Sequence, residues 1–225
     1  MKSEKLTKRI YDDACGTAHG LELIGERWSL LILRELLLGP RRFTGLKRDL
    51  PGISANVLTQ RLAELEGKGL VRRSKLPPPA SIQVYAATEW GLEAEPVIAE
   101  LGRWAARSPR HDPTLPLSPV AIMISFRAMM DRGEAAALAG TIGFRFGDTA
   151  YVGRLDRGAF PVRRDDPAGA DAVVTASPEQ LAAAAYGGAP LPDGAVEGDK
   201  ALVERFLSLF SLPPKAVVEA ESASP

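Results

Sequence analysis

The sequence holds 225 residues, 45% of them hydrophobic and 25% charged, with a formal net charge of +0 at pH 7. That composition excludes a disordered tract and a bundle of long apolar membrane spans, and the length suits two domains of ordinary size. The neutrality is a balance of unequal halves: residues 1–108 carry 17 Lys+Arg against 13 Asp+Glu, residues 109–225 carry 11 against 15, and residues 27–75 alone carry 11 against 4. An excess of that size predicts a polyanionic partner for the first half and none for the second. The charged start, Met1-Lys2-Ser3-Glu4-Lys5, has no apolar signal core, and the single cysteine, Cys15, excludes an intrachain disulfide framework. Both lead us to expect a cytoplasmic protein.

Residues 17–25 read as a short helix, with Ala18, Leu21 and Ile24 in register. "ERWSLLILRELLLG" predicts a second helix, apolar almost all round and therefore buried, closed by Gly39-Pro40. Phe43 to Leu50 is a third, ended by Pro51-Gly52. Ser54 caps a fourth that runs to about Glu66, where Gly67 and Gly69 stop it. "LVRRSKL" and "SIQVYAAT" alternate as two strands around Pro77-Pro78-Pro79-Ala80, and Thr88-Glu89 opens a last helix expected to continue through Ala106. Helices, a two-stranded ribbon and a closing helix make a winged helix-turn-helix over residues 1–107.

"SPRHDPTLPLSP" has too many prolines for a helix and predicts an extended linker at 108–117. Residues 118–131 then read as a helix carrying Val120, Met123, Ile124, Phe126 and Met130. "TIGFRFG", "TAYVGRLDR", "AFPVRRD" and "DAVVTAS" follow as strands with period-two apolar positions. Pro178-Glu179 opens a helix to Tyr186, and Asp199 caps another through Phe210. The second domain, 118–214, is therefore α+β, and residues 215–225 form a polar tail.

The helix after Ser54 carries the chemistry. At about 100° per residue Leu58, Leu62 and Leu65 share one face, while Asn56, Gln60, Ala63 and Gly67 lie opposite with Thr59 at the edge. Asn and Gln suit the paired donor and acceptor of an adenine edge in a major groove, and a small Ala63 permits close approach. Arg61 lies on the same helix. Arg41, Arg42, Lys47 and Arg48 precede it, and Arg72, Arg73 and Lys75 follow it, placed to meet phosphates on either side of the groove. A solvated polar face explains the helix taken alone; the turn-helix spacing and the basic ribbon favour DNA.

These same residues carry a resemblance. "ACGTAHGLELIGERWSLLILRELLLGPRRFTGLKRDLPGISANVLTQRLAELEGKGLVRR", with Tyr85, Thr88 and Gly91, resembles the HxlR-type winged-helix regulators of bacteria over roughly residues 10–107. The resemblance implies a homodimer on double-stranded DNA with a pseudo-palindromic operator, its first and last helices forming the dimer contact. It also implies that Cys15 stands where some members carry a redox-sensing thiol; the alternative is a small buried apolar residue. The wing departs from the pattern: Ile82 stands where an arginine is usual, so minor-groove insertion by the wing is not expected.

"AVEGDKALVERFLSLFSLP" and the preceding "DAVVTASPEQLAAAAYGG" resemble the sterol carrier protein type-2-like domain over about 118–214. That fold implies a small sheet whose helices enclose an apolar tunnel. Phe126, Met129, Met130, Phe144, Phe146, Tyr151, Tyr186 and Phe206, with Phe160 and Phe210, are the candidate liners, or else ordinary core.

Catalysis has no comparable support. His19 and His111 are the two histidines, and the nucleophile-elbow, HExxH, Walker and dinucleotide motifs are missing from the sequence. No enzyme, no metal, no cofactor and no membrane partner is expected. The expected protein is a cytoplasmic bacterial transcription regulator, a repressor whose second domain senses an apolar or amphipathic molecule. One alternative makes Cys15 the switch and the second domain structural; another makes the chain a lipid-binding or catalytic protein that uses its winged helix for dimerisation.

Overall fold

The computed structural model describes residues 11–75 and 82–217. Contacts divide it into two compact units: residues up to Leu36 with Pro40–Ala94, and Leu37–Gly39 with Glu95 onward. The division thus falls before the helix at 95–106, not at the proline-rich linker, because that helix packs on elements of the second unit.

In the first unit α1 is Gly16–Ile24, α2 Ser29–Leu36, α3 Phe43–Asp49 and α4 Ala55–Gly67. Strands β1, Val71–Lys75, and β2, Gln83–Ala87, pair antiparallel from Val71↔Ala87 to Lys75↔Gln83, and α5 is Glu89–Leu92. The expected second helix is shorter than its apolar run. Trp28 has φ 80, a left-handed conformation incompatible with continuing a helix, so α2 starts after it. The expected closing helix from 88 to 106 is in fact two. Pro96 lacks the N–H that would bond to Leu92, and its ring would strike that carbonyl, so α5 stops at Leu92 and α6 starts at Glu95.

The α4 helix follows its sequence pattern. The Ser54 side chain accepts from the Val57 N–H at 3.2 Å, and Leu58, Leu62 and Leu65 are each 0% exposed. Burying each leucine stabilises by about 1.5–3 kcal/mol, which is more than the cap adds. Thr88 fixes the end of the ribbon: its hydroxyl donates to the Gly69 carbonyl at 2.7 Å and accepts from the Gly91 N–H at 3.0 Å. Gly91 must be glycine, because a Cβ there would lie 2.1 Å from the Leu70 carbonyl oxygen. The proline-rich ribbon tip, Pro77 to Ala80, lies outside the described residues.

In the second unit α6 is Glu95–Ala106, α7 Pro119–Met129, α8 Arg132–Ala135 and α9 Pro178–Gly187. Strands β3 Gly140–Phe146, β4 Thr149–Leu155, β5 Val162–Arg164, β6 Ala172–Thr175 and β7 Val196–Gly198 form one sheet in the order β5-β4-β3-β6-β7, followed by α10, Lys200–Leu207. β3 and β6 run parallel and the other neighbours antiparallel. The short α8 and β7 were not evident in the sequence, and α10 ends three residues before Phe210. Ile142, Phe144 and Phe146 of β3, Tyr151 and Leu155 of β4, and Ala172 and Val174 of β6 are buried on one face, and Gly143, Val152 and Val173 between them are buried as well. Gly153 of β4 leaves room for Phe160, whose ring would lie 2.3 Å from a Cβ there.

Candidate nucleic-acid interface

On α4 the residues opposite the leucines are in water: Asn56, Thr59, Gln60 and Ala63 are all exposed. Thr59 Oγ1 donates to the Ala55 carbonyl at 2.9 Å, and Gln60 Nε2 donates to Glu64 Oε1 at 2.9 Å. These bonds run along the helix and hold the side chains over its surface. The Glu64 carboxyl is pushed up by partial burial, but Arg61, Gln60 and Lys68 outweigh that and hold it below the usual range, so it stays an acceptor at neutral pH.

Two of the expected phosphate-binding arginines are structural. Arg41 is 4% exposed; it bonds Asp49 through Nη2, and its Nη1 lies 3.5 Å from Glu35 Oε2. Its backbone pairs with Tyr85 in both directions at 2.8 Å, so a guanidinium in this turn faces the interior. Arg61 is also engaged, with Nη2 2.8 Å from Glu26, Nη1 on Glu64, and Nε donating to the Arg27 carbonyl at 3.2 Å. Neither side chain is placed for a phosphate. The Ser54 hydroxyl is occupied as the α4 cap.

The remaining cations stand at or near the surface on the elements that precede and follow α4 in the chain. Arg42 is the exposed residue at the start of α3, and Lys47 and Arg48 are in its last turn, Arg48 bonded to Asp49 at 2.8 Å. Arg72, Arg73 and Lys75 are exposed on β1; Arg73 pairs with Glu66 at 3.1 Å and lies over the Tyr85 ring. Among the described residues no ion pair engages Arg42, Lys47, Arg72 or Lys75. An exposed amide-bearing face on α4, with surface cations on the elements before and after it in the chain, has the residue types that base edges and phosphates require.

Cys15 is exposed, which corrects the alternative of a buried apolar residue. It occupies the position before the first turn of α1, and its N–H donates to Asp13 Oδ1 at 2.9 Å. The Thr17 N–H, the Thr17 hydroxyl and the Ala18 N–H hold its thiol below the ordinary value and so favour the thiolate.

The candidate liners of the second unit are core. Phe126, Phe144, Tyr151 and Phe206 are each 0% exposed. Phe126 stacks on Phe210 at 4.4 Å between ring centroids and meets Phe206 edge-on at 5.3 Å, and Phe206 lies 4.9 Å from Phe160. Such offset and edge contacts are the preferred packing of aromatic rings, which fill this interior with one another. Phe146 and Met130 are buried at its margin, and Met129 is half-buried. Tyr186 bonds Ser125 at 2.6 Å, and burial pushes its phenol up to about 12, so it is neutral. Among the described residues no group of three His, Cys, Asp or Glu could hold a metal, and no helix is long and apolar enough to cross a membrane.

One surface feature went unread in the sequence. Val97, Leu101 and Trp104 of α6 are 54%, 44% and 72% exposed and fall on one side of the helix. Their spacing of four and three residues is visible, but Ile98 and Ala106 on the other side of the helix blur the pattern.

Residues 23–112 match the HxlR-like helix-turn-helix family. The chain is 39% identical over 94 residues to the HTH-type transcriptional regulator YkvN of Bacillus subtilis (strain 168), covering 40% of this chain and 77% of that protein. It is 39% identical over 83 residues to the HTH-type transcriptional regulator YodB of the same organism, covering 37% of this chain and 74% of YodB. Against the solved reduced form of YodB the identity is 33%, with 44% of this chain and 100% of that one covered, at a TM-score of 0.40.

Proposed function

The chain belongs to the HxlR-like helix-turn-helix family of DNA-binding transcriptional regulators, and from that premise we propose that it acts as a repressor, as a homodimer on a pseudo-palindromic operator. The observation that carries this reading is the exposed Asn56, Thr59, Gln60 and Ala63 face of α4, with unpaired cations on α3 and β1 beside it. Two copies related by a two-fold axis would present two such helices to two half-sites, and the exposed Val97, Leu101 and Trp104 of α6 supply an apolar surface for the second copy. An effector for the second unit, apolar or amphipathic, rests on its sequence resemblance to sterol carrier domains alone, because the rings that would line a tunnel pack on one another.

The test uses a duplex that the wild-type chain selects from a random pool. Asn56→Ala and Gln60→Ala should each cost about 1–3 kcal/mol on that duplex and little on unselected DNA, because they remove base contacts alone. Arg42→Ala should weaken both alike. Equal losses on both duplexes for all three variants would exclude base reading by α4.

A second reading makes Cys15 a redox switch, and its exposure with a lowered thiol pKa favours it. Under reducing conditions Cys15→Ser should bind DNA as the wild type does. On this reading an oxidant releases the wild type from DNA and leaves the variant bound; an identical response of the two proteins eliminates it.

A further inference from the structure

We propose that α7 and residues 214–216 clasp α6 at its two ends within the second unit and that loosening the clasp weakens operator binding, so that α6 is the element through which the state of this unit reaches the DNA. The proposal rests on the reading above, in which α6 is the dimer helix.

The two sides of α6 have different tasks. At about 100° per residue Glu95, Ile98, Arg103 and Ala106 fall within one half of the helix, and Val97, Leu101 and Trp104 within the other. The first set is engaged by the rest of the second unit. Glu95, in the first turn, pairs with Arg127 of α7 at 2.8 Å. Ile98 packs against the unit's hydrophobic core, and Ala106 is 4% exposed. Arg103 donates through Nη2 to the Ala128 carbonyl near the end of α7. This last bond joins a cation to the carbonyl end of a helix, where the backbone dipole favours positive charge.

The far end of α6 is held by chain that comes from beyond α10. Lys215 Nζ donates to the carbonyls of Ala106 at 3.0 Å and Ser108 at 3.1 Å, and lies 3.5 Å from that of His111. The Ala216 N–H donates to the Arg107 carbonyl at 2.7 Å, and Arg107 Nε donates to Pro214 at 3.3 Å. Carbonyls at a helix C-terminus lack partners from a continuing helix, and here that of Ala106, with those of Arg107 and Ser108 just beyond it, accepts from the Lys215 ammonium or the Ala216 N–H. The helix whose outer side is apolar and exposed is thus pinned at its first turn by α7 and at its last by residues 214–216. α7 explains how the unit transmits a change: seven of its eleven residues are buried, and it packs against both α6 and α9 over the aromatic core. A shift in that core moves α7, and α6 follows through Glu95 and Arg103.

The experiment uses the full chain and the selected duplex, with three readouts: dimer dissociation by sedimentation, DNA affinity by fluorescence anisotropy, and amide hydrogen exchange across α6. Lys215→Met and Arg127→Met keep the apolar stems and remove the cations. Each should accelerate exchange at the corresponding end of α6 and weaken DNA binding by about fivefold or more, while Lys215→Arg should stay within about twofold of wild type. Lys215 lies on the terminal segment outside the core, so its removal leaves the fold to be measured. If Lys215→Met and Arg127→Met bind the duplex like wild type and leave α6 exchange unchanged, the clasp is overturned. If the wild type itself selects no duplex, the regulator reading fails first, and α6 exchange alone still reports whether the clasp exists.

Discussion

Arg41→Ala is expected to destabilise the first unit by about 3 kcal/mol, at the low end for breaking a buried ion pair. The magnitude follows from what remains behind. Glu35 is 0% exposed and keeps Arg34 at 2.8 Å, and Asp49 keeps Arg48 at 2.8 Å, so each carboxylate retains one partner while losing another. Burial pushes the Asp49 carboxyl up, yet its bonds from Arg48 and Arg41 outweigh that and hold it below its usual range, so removing Arg41 takes away part of what keeps it charged. For a unit of about 90 residues a loss of 3 kcal/mol lowers its melting temperature by roughly 12–24 °C. Arg42→Ala, one residue away and exposed, should change stability by no more than about 0.5 kcal/mol and act on DNA affinity instead. Calorimetry of the two variants separates them; equal melting temperatures would show that Arg41 is a surface cation after all.

That pair of adjacent arginines marks the limit of what the sequence conveyed about the site. The recognition helix was legible because three signals coincide: Ser54 as cap, leucines at 58, 62 and 65, and glycines at its end. The orientation of Arg41 is set by its backbone pairing with Tyr85, a long-range contact that no local period encodes. Arg61 likewise has the right spacing for the free edge of α4 but is drawn to Glu26, near the end of α1. The break before Pro96 is hard to read because helical periodicity resumes after it.

In the second unit the long strands were legible from alternation and the short elements were not. Val196–Gly198 is only three residues long, too short for a period-two pattern to register. Alternation also identifies which face of a strand is apolar without saying what lies against it. Phe126, Phe144 and Phe206 therefore read equally as tunnel wall or as core, and their mutual ring contacts decide for core. The grouping of α6 with the second unit was hidden for a related reason: a proline-rich stretch signals a connector, yet the chain returns from 214–216 to bind the helix before it.

The central claim is that the surface around α4 meets the phosphates of a duplex, and salt dependence tests it most directly. Arg42, Lys47, Arg72 and Lys75 give roughly three to four phosphate contacts per protomer, so about six to eight per dimer, each releasing counterions on binding. At about −0.9 per contact, log affinity against log salt should fall with a slope of roughly −5 or steeper. Between 50 and 200 mM salt that is a loss of about 10³-fold, more than any single base contact contributes. The measurement is a titration of the selected duplex by fluorescence anisotropy across that range. The account predicts a slope of about −5 or steeper that becomes shallower in Arg42→Ala and Arg72→Ala. A slope near zero, unchanged by either substitution, would contradict it.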